Sequence, residues 1–232
     1  MTAKARALFF AANPVIDTDR QTFERHCQTQ VSKNTVELGC FTSDNRIYIL
    51  KIDDSTLSKE MGVVAAHEML HAAYSQMSTT DRTMLDGQLE TVVSGIQDRN
   101  LLQRLKDYRT LEPGQRDNEL HSILGTEFDS LGIDLEQYYT LYFSDDRRAV
   151  LAAAQQIDQV YTQKEDELVN IQNRIKQMRK QMQNDMDQNK MGDYNQLVPQ
   201  INALIKEFNQ KVRAYNALSR SLMGEETPAN NQ

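Results

Sequence analysis

The chain has 232 residues, of which 39% are hydrophobic and 25% are charged, and its net charge is -7. This length predicts one or two globular domains that bury a substantial core. The acidic balance, without any basic stripe, excludes a nucleic-acid partner. No apolar run reaches the ~20 residues that a bilayer span requires, so we expect no membrane span in this chain.

The first part of the chain combines two helical patterns with a hairpin pattern. Residues 4–12 and 17–28 are expected to form short helices. Residues 36–41 alternate between apolar and polar side chains, residues 42–45 have turn composition, and residues 46–52 are rich in β-formers. This order predicts a β-hairpin whose second strand leads almost directly into the next helix.

Cys27 and Cys40 are the only cysteines in the chain. A disulfide between them would suit an extracytoplasmic protein, and two free buried thiols are the alternative. A structural zinc site is disfavoured, because neither cysteine belongs to a Cys-x-x-Cys pair. The localisation stays open, with an extracytoplasmic protein or the soluble part of a membrane-anchored protein as the candidates.

The segment from Met61 to Tyr74 carries the strongest chemical signal in the chain. Its only charged or imidazole side chains are His67, Glu68 and His71, and no proline interrupts its helical pattern. On a helix the two imidazoles lie within ~40° of each other, one turn apart, with Glu68 beside them. Because a helix that is apolar around most of its circumference is buried, these groups need a metal or hydrogen-bond partners. His-Glu-x-x-His is the pattern of zinc metallopeptidases, with two imidazole ligands and a glutamate as general base.

Helical patterns continue after this segment. The expected helices cover residues 79–96, 100–109, 116–131 and 135–143. From about residue 146, apolar side chains recur at alternating steps of three and four, as in a coiled-coil seam. The seam resumes after a turn at 190–195, which predicts an antiparallel helical hairpin with Pro199 in the first turn of its second helix. This arm is either an internal strut or a surface for a coiled-coil protein partner or a homodimer.

A zinc peptidase site requires three protein ligands and one open position. A third histidine six residues after His71 is excluded, because that position is Met77. One downstream helical segment offers suitable ligands, namely Glu119, His121 and Glu127. Glu127 lies near the middle of the apolar face of this segment, where a carboxylate needs a partner, and Glu119 lies at its edge. Glu119 is favoured because ligand helices turn a mixed face to the metal, Glu127 stays as the alternative third ligand, and His121 is expected to face solvent.

The two segments together resemble a known family. His67-Glu68-Met69-Leu70-His71 and Asn118-Glu119-Leu120-His121-Ser122 are similar to the two motifs of the gluzincin metallopeptidases, and Gly125-Thr126 is similar to a pair in the thermolysin-like members. The resemblance implies a zincin-like fold, Zn2+ as cofactor and Glu119 as the third ligand. It also implies that the small Ser122 lets the two helices approach closely. The same pairing of segments resembles an uncharacterised, often membrane-anchored bacterial family.

The resemblance covers about residues 60–130 and does not explain the C-terminal arm. One position departs from the family pattern, because Ile123 stands where many gluzincins have an aspartate that orients a ligand histidine. The orientation of His67 or His71 therefore needs another group. In metallopeptidases of this type an exposed strand beside the motif helix often pairs with an extended peptide substrate. The second strand of the hairpin is the candidate here, with a purely structural hairpin as the alternative.

These observations predict the architecture of the chain. We expect an α+β zincin-like core at residues 1–145, which is mainly α with a small β-hairpin. It is followed by the antiparallel helical hairpin or coiled-coil arm at residues 146–224 and a disordered tail at 225–232.

The expected function is zinc-dependent hydrolysis of peptide bonds in a peptide or protein substrate. A metal-bound water would be the nucleophile, and Glu68 would be the general base. A tyrosine or a histidine would help to stabilise the oxyanion, and Tyr138, Tyr139 and Tyr142 are candidates by residue type alone. The alternative function is a catalytically degenerate or latent metal-binding scaffold, in which the coiled-coil arm binds other proteins.

Overall fold

The computed structural model describes residues 1–27, 38–52, 59–111, 114–144 and 146–223. The described helices are α1 (Ala3–Ala11), α2 (Arg20–His26), α3 (Glu60–Ser75), α4 (Thr79–Val93), α5 (Arg99–Leu111), α6 (Arg116–Glu127), α7 (Ile133–Tyr139), α8 (Asp146–Asp187) and α9 (Met191–Met223). The described strands are β1 (Val15–Asp17), β2 (Gly39–Phe41) and β3 (Ile47–Leu50). The prediction of a mainly α chain with a small sheet and a C-terminal helical hairpin is confirmed. The expected tail at 225–232 lies outside the described residues.

The three described strands form one sheet in the order β1-β3-β2. β2 pairs antiparallel with β3, with Gly39 opposite Ile49, so the predicted hairpin is confirmed over its described residues. β1 pairs in parallel with β3, with Val15 opposite Tyr48, and it was not predicted because so short a strand carries no periodic signal. β3 is therefore the central strand, and the expectation that it is the strand exposed to a substrate is wrong. β2 instead lies at an edge of the described sheet.

Cys27 and Cys40 form a disulfide, which decides between the two alternatives that the sequence leaves open. Cys27 is the C-cap of α2, and Cys40 is the middle residue of β2. Both cysteines are buried with Phe23, Tyr48 and Leu50 in one apolar cluster. The crosslink therefore ties α2 to the edge strand β2 within a small core of its own.

α3 lies in the main apolar core, in agreement with its sequence. Its residues Ala66, Met69 and Leu70 are buried there together with Leu120 and Leu124 of α6. α3 and α6 pack against each other more extensively than any other pair of described elements. This pairing fixes the position of the predicted ligand helix relative to the motif helix.

Gly125 lets α6 approach α3 and α7 more closely than a residue with a side chain would allow. A Cβ atom at this position would lie 2.4 Å from Leu70 Cδ1 and 2.7 Å from Tyr139 Cε1. Ser122, one turn earlier on α6, is also fully buried. The close contact of the two ligand helices thus depends on small residues of α6.

We expect Gly125→Ala to lower the free energy of unfolding by about 1–3 kcal/mol, because the added methyl group overpacks a closed core. Urea-induced unfolding followed by circular dichroism measures this loss. Gly87→Ala is the matched control, since Gly87 lies within α4 and a Cβ there meets nothing within 4 Å. Its better helix propensity predicts a gain of up to about 1 kcal/mol. Equal stability of the two variants would contradict the close packing around Gly125.

α6 ends at Glu127, so the prediction that this helix continues to residue 131 is wrong. Phe128 takes an extended conformation, and Arg147 donates hydrogen bonds to three carbonyl oxygens at this end of the helix. Arg147 is nearly buried and also pairs with Glu136 of α7. The apolar periodicity could not reveal this end, because the capping side chain comes from the start of α8.

The described chain divides into two compact units within α8, between Gln156 and Ile157. The predicted boundary at 145/146 instead coincides with the start of α8. The first turns of α8 belong to the first unit, since Arg147 binds the end of α6 and Val150 packs against the main core. None of the described helices has the length and apolar character that a membrane span requires.

The second unit is a pair of antiparallel helices from α8 and α9. Its apolar cluster consists of residues at predicted seam positions, namely Ile171, Ile175, Ile201 and Leu204. The turn between the helices contains Asn189, whose φ of 54 is left-handed. The predicted turn at 190–195 is wrong, because α9 already begins at Met191. Pro199 consequently lies inside α9 and not in its first turn.

Candidate metal centre

Two helices bring three side chains together at one point of the first unit. α3 supplies His67 and His71, and α6 supplies Glu119 from its first turn. His67 Nε2 lies 3.6 Å from one carboxylate oxygen of Glu119, and His71 Nε2 lies 3.3 Å from the other. One ligand atom from each residue lies within 4.8 Å of the other two. Among the described residues, this is the one group of histidine, cysteine or carboxylate side chains with the spacing of a metal site.

The donor set fits a divalent metal ion, and two of its separations can be compared with those of a zinc site. In tetrahedral geometry with bonds of about 2.0–2.1 Å, neighbouring ligand atoms lie about 3.3 Å apart. The contacts of 3.3 and 3.6 Å agree with that separation. Two imidazole nitrogens and one carboxylate leave a fourth position open, which is the arrangement of catalytic zinc sites.

The three groups also perturb one another electrostatically. Burial would raise the pKa of the Glu119 carboxyl, but the neighbouring His71 and His67 lower this pKa to about 2. Burial would lower the pKa of His67, but the contact with Glu119 and the charge of Glu68 outweigh it, so this pKa is raised. In His71 burial dominates, and the pKa is lowered. An ionised carboxylate and a neutral His71 are the protonation states in which these groups bind metals.

Asn118 orients His71. Its side-chain oxygen lies 3.0 Å from His71 Nδ1 and accepts a hydrogen bond from that nitrogen. The amide nitrogen of Asn118 donates to Gln115, which defines the end of the amide that faces the histidine. Ile123, which replaces the aspartate of the family pattern, is fully buried in the main core and contributes no such contact. The orienting group is therefore the residue that directly precedes Glu119.

The hydrogen bond to Asn118 determines which nitrogen of His71 faces the carboxylate of Glu119. When Nδ1 of a neutral imidazole carries the proton, Nε2 presents a lone pair. In this site that lone pair lies 3.3 Å from an oxygen of Glu119, which is itself an acceptor. Two acceptors at this distance in a buried site repel each other, and either a proton on Nε2 or a metal ion between the two atoms removes the repulsion.

Asn118→Ala is expected to weaken zinc binding about 10–100-fold, because it removes the group that fixes the tautomer and ring orientation of His71. Competition with a chromogenic chelator measures the affinity. Asn118→Asp keeps an acceptor oxygen at this position and serves as the control that should retain tight binding. An unchanged affinity in the alanine variant would show that other contacts orient the ring.

Glu68 lies beside His67 and His71 without belonging to the group that they form with Glu119. Its side chain is 4% exposed and lines the same cleft as His67 and His71. The backbone of β2 packs directly on it, since a Cβ at Gly39 would lie 2.7 Å from Glu68 Oε1. Gly39 was not predicted as a site residue. Its one signal is a glycine inside a strand pattern, which marks a close approach of the backbone to another group.

Glu127 is bound by an arginine and does not join the two histidines. Its two carboxylate oxygens accept hydrogen bonds of 2.7 and 3.1 Å from Arg104 of α5. This ion pair is the partner that a carboxylate near the middle of an apolar face requires. The geometry therefore does not support Glu127 as the third ligand, and Glu119 is the glutamate that lies beside His67 and His71.

His121 is fully buried, so the expectation that it faces solvent is wrong. Its Nε2 lies 2.9 Å from the hydroxyl of Tyr138, and its ring stacks on that of Tyr139. Burial, together with the charges of His71 and His67, lowers the pKa of His121 to about 3, so the ring is neutral. His121 therefore belongs to a buried aromatic cluster and not to the ligand group.

His67, His71 and Glu119 line a cleft of about 590 Å³. β2 and the residues after it form part of its wall, and α5 and α6 form another part. Tyr138, Tyr139 and Tyr142 are absent from its described lining, which contradicts the expectation that one of them contributes to the site. Arg104 and Tyr108, one turn apart on α5, line the cleft in their place. They were not predicted, because one arginine and one tyrosine on an amphipathic helix carry no distinctive pattern.

Comparisons of the chain with models of protein families, with curated proteins and with solved structures gave no match.

Proposed function

We propose that the protein is a zinc-dependent peptidase with a gluzincin-type site. The observation that carries this proposal is the convergence of His67, His71 and Glu119 at ligand spacing in a cleft, with Glu68 beside them. The approach of His71 Nε2 to within 3.3 Å of the Glu119 carboxylate also supports a positive charge at this point, which the proposal assigns to the metal ion. In the proposal His67, His71 and Glu119 hold the ion, and the fourth position stays open for reactants.

A bound Zn2+ would act as a Lewis acid that polarises the scissile carbonyl and lowers the pKa of a water molecule. Glu68 accepts the proton of the attacking water on a carboxylate oxygen and passes it to the nitrogen of the leaving amine. Its low exposure and its contact with Gly39 keep the carboxylate in one orientation. A base that is held in place in this way avoids the cost of reorganisation during the reaction.

β2 is the segment best placed to hold the substrate. It lies at an edge of the described sheet, and its residues Gly39, Cys40 and Phe41 all line the cleft. A peptide that pairs with an edge strand forms main-chain hydrogen bonds and needs no particular side chain for them. The proposed substrate is therefore an extended peptide or an unfolded segment of a protein.

Arg104 and Tyr108 are the proposed groups that stabilise negative charge on the carbonyl oxygen. Both line the cleft, and Glu127 holds the guanidinium of Arg104 through two hydrogen bonds. The charge of Arg104 reaches the metal centre, since it contributes to the lowered pKa of Glu119. A preorganised cation of this kind stabilises charge that develops in the transition state.

The Cys27–Cys40 disulfide supports a location outside the cytoplasm. Disulfides of this kind persist in oxidising compartments and are rare where thiols are kept reduced. In this structure the bond lies beside the cleft, since Cys40 belongs to its lining. We therefore place the proposed activity in an extracytoplasmic setting.

Cleavage of a peptide library by the purified full chain tests the proposed function. We expect hydrolysis that 1,10-phenanthroline abolishes and that added Zn2+ restores. His67→Ala is the control for contaminating proteases and should contain no zinc and cleave nothing. Stoichiometric, tightly held zinc without any hydrolysis would overturn the proposal and favour the metal-binding scaffold.

A further inference from the structure

The contact between β2 and Glu68 is tighter than ordinary packing. A Cβ at Gly39 would lie 2.5 Å from Val64 Cγ1, 2.7 Å from Glu68 Oε1 and 2.9 Å from Glu68 Cγ. Gly39 does not have a positive φ, so backbone conformation does not demand a glycine here. The reason for a glycine is the close approach of the strand to the motif helix, with Glu68 directly beneath it.

The next residue of the strand is the one that the disulfide anchors. Cys40 is joined to Cys27 at the end of α2, and on the sheet it pairs with Tyr48 of β3. β2 itself is only 3 residues long. A strand of this length has few ladder hydrogen bonds to hold it, so the covalent bond to α2 next to Gly39 is a major constraint on the position of the strand.

The metal ligands do not depend on β2 in the same way. His67 and His71 lie on α3, and Glu119 lies on α6, and these two helices pack directly on each other. Asn118, which orients His71, is also on α6. A shift of β2 therefore changes the surroundings of Glu68 while the three ligands keep their positions.

We infer that Gly39 and the Cys27–Cys40 disulfide are positioning residues for the catalytic carboxylate of Glu68. The disulfide fixes the strand to α2, and the bare backbone at Gly39 confines the carboxylate to the orientation in which it reaches the attacking water. The inference rests on the proposed peptidase function. It assigns the disulfide a role in catalysis that is separate from metal binding.

Two variants test the inference in the zinc-loaded full chain. Cys27→Ala combined with Cys40→Ala releases the strand, and Gly39→Ala pushes a methyl group into the space of Glu68. Because misplacement of a reacting group by about 1 Å costs about 10²-fold in rate, we expect kcat to fall about 10–100-fold in both variants, with zinc still stoichiometric. Gly62→Ala is the control, because Gly62 lies on α3 with Glu68 but a Cβ there meets nothing within 4 Å. The kcat of this variant should be unchanged.

A double-mutant cycle with Glu68→Gln separates positioning from general stabilisation. If the disulfide acts through Glu68, removing both cysteines in the Glu68→Gln background causes no further loss of the residual rate. A further loss of the same size as in the wild-type background would overturn the inference. Loss of zinc from the cysteine variant would also overturn it, because the bond would then hold the metal ligands as well.

The outcomes also distinguish the two proposals. A wild-type chain that cleaves peptides, together with unchanged kcat in the Gly39→Ala and double-cysteine variants, would overturn the positioning role and leave the peptidase function standing. A wild-type chain that binds zinc and cleaves nothing would overturn both.

Discussion

Glu68→Gln is expected to leave only a small residual rate of peptide hydrolysis while the zinc site stays loaded. The amide has the shape of the carboxylate, so the packing against Gly39 is retained. It cannot accept the proton of the attacking water, and loss of a general base lowers kcat by about 10²–10⁴-fold. Zinc content should be unchanged, because Glu68 is not in the group formed by His67, His71 and Glu119.

Steady-state cleavage of a fluorogenic peptide and elemental analysis of the same sample measure the two quantities together. Glu24→Gln is the control for the change from carboxylate to amide, since Glu24 is exposed on α2 and pairs with Arg20. Its activity should equal that of the wild type. Full activity in Glu68→Gln would exclude the carboxylate as base, and loss of zinc would mean that Glu68 belongs to the coordination shell.

The motif helix could be predicted because its information is local. A segment that is apolar on nearly all sides and carries His67, Glu68 and His71 specifies its length, its burial and the common face of the histidines. α3 fulfils these expectations, since it covers Glu60–Ser75 and most of its residues after Gly62 are buried. The helical arm was predictable for the same reason, because its seam repeats over many turns.

The choice between Glu119 and Glu127 was harder, because it depends on a partner from elsewhere in the chain. Periodicity correctly indicated that Glu127 needed a partner. That partner is Arg104, 23 residues away on a different helix. The end of α6 was missed for a similar reason, since Arg147 of α8 caps it. Contacts between distant segments satisfy these groups, and a local pattern contains no information about them.

Short strands and single residues around the site could not be predicted from the hydrophobic pattern of the sequence. β1 has 3 residues, too few for an alternating pattern to stand out. Gly39 acts through the absence of a side chain, and Asn118 acts through one hydrogen bond to His71. Neither effect appears in hydrophobic periodicity. They become visible only when β2 and α6 are placed around α3.

Glu119→Ala is expected to remove zinc from the purified protein, whereas Glu127→Ala should retain it. Glu119 approaches both imidazoles at 3.3 and 3.6 Å, and its loss leaves two ligands, too few for a stable zinc site. Loss of an orienting contact lowers the affinity for a metal about 10–100-fold, and the loss of Glu119 should lower the affinity for zinc by more than that. Glu127 contacts Arg104 instead, so its removal costs an ion pair that is partly exposed, worth about 1 kcal/mol of stability or less.

The two alanine variants are matched controls for each other, because both remove a glutamate from the same face of α6 that borders the cleft. Elemental analysis and competition with a chromogenic chelator give the zinc stoichiometry and affinity of each. Zinc retained in Glu119→Ala and lost in Glu127→Ala would reverse the assignment. It would require the end of α6 to move toward α3, against the hydrogen bonds from Arg147 that hold this end. The predicted order of zinc loss is therefore also a test of whether α6 keeps its position when the metal binds.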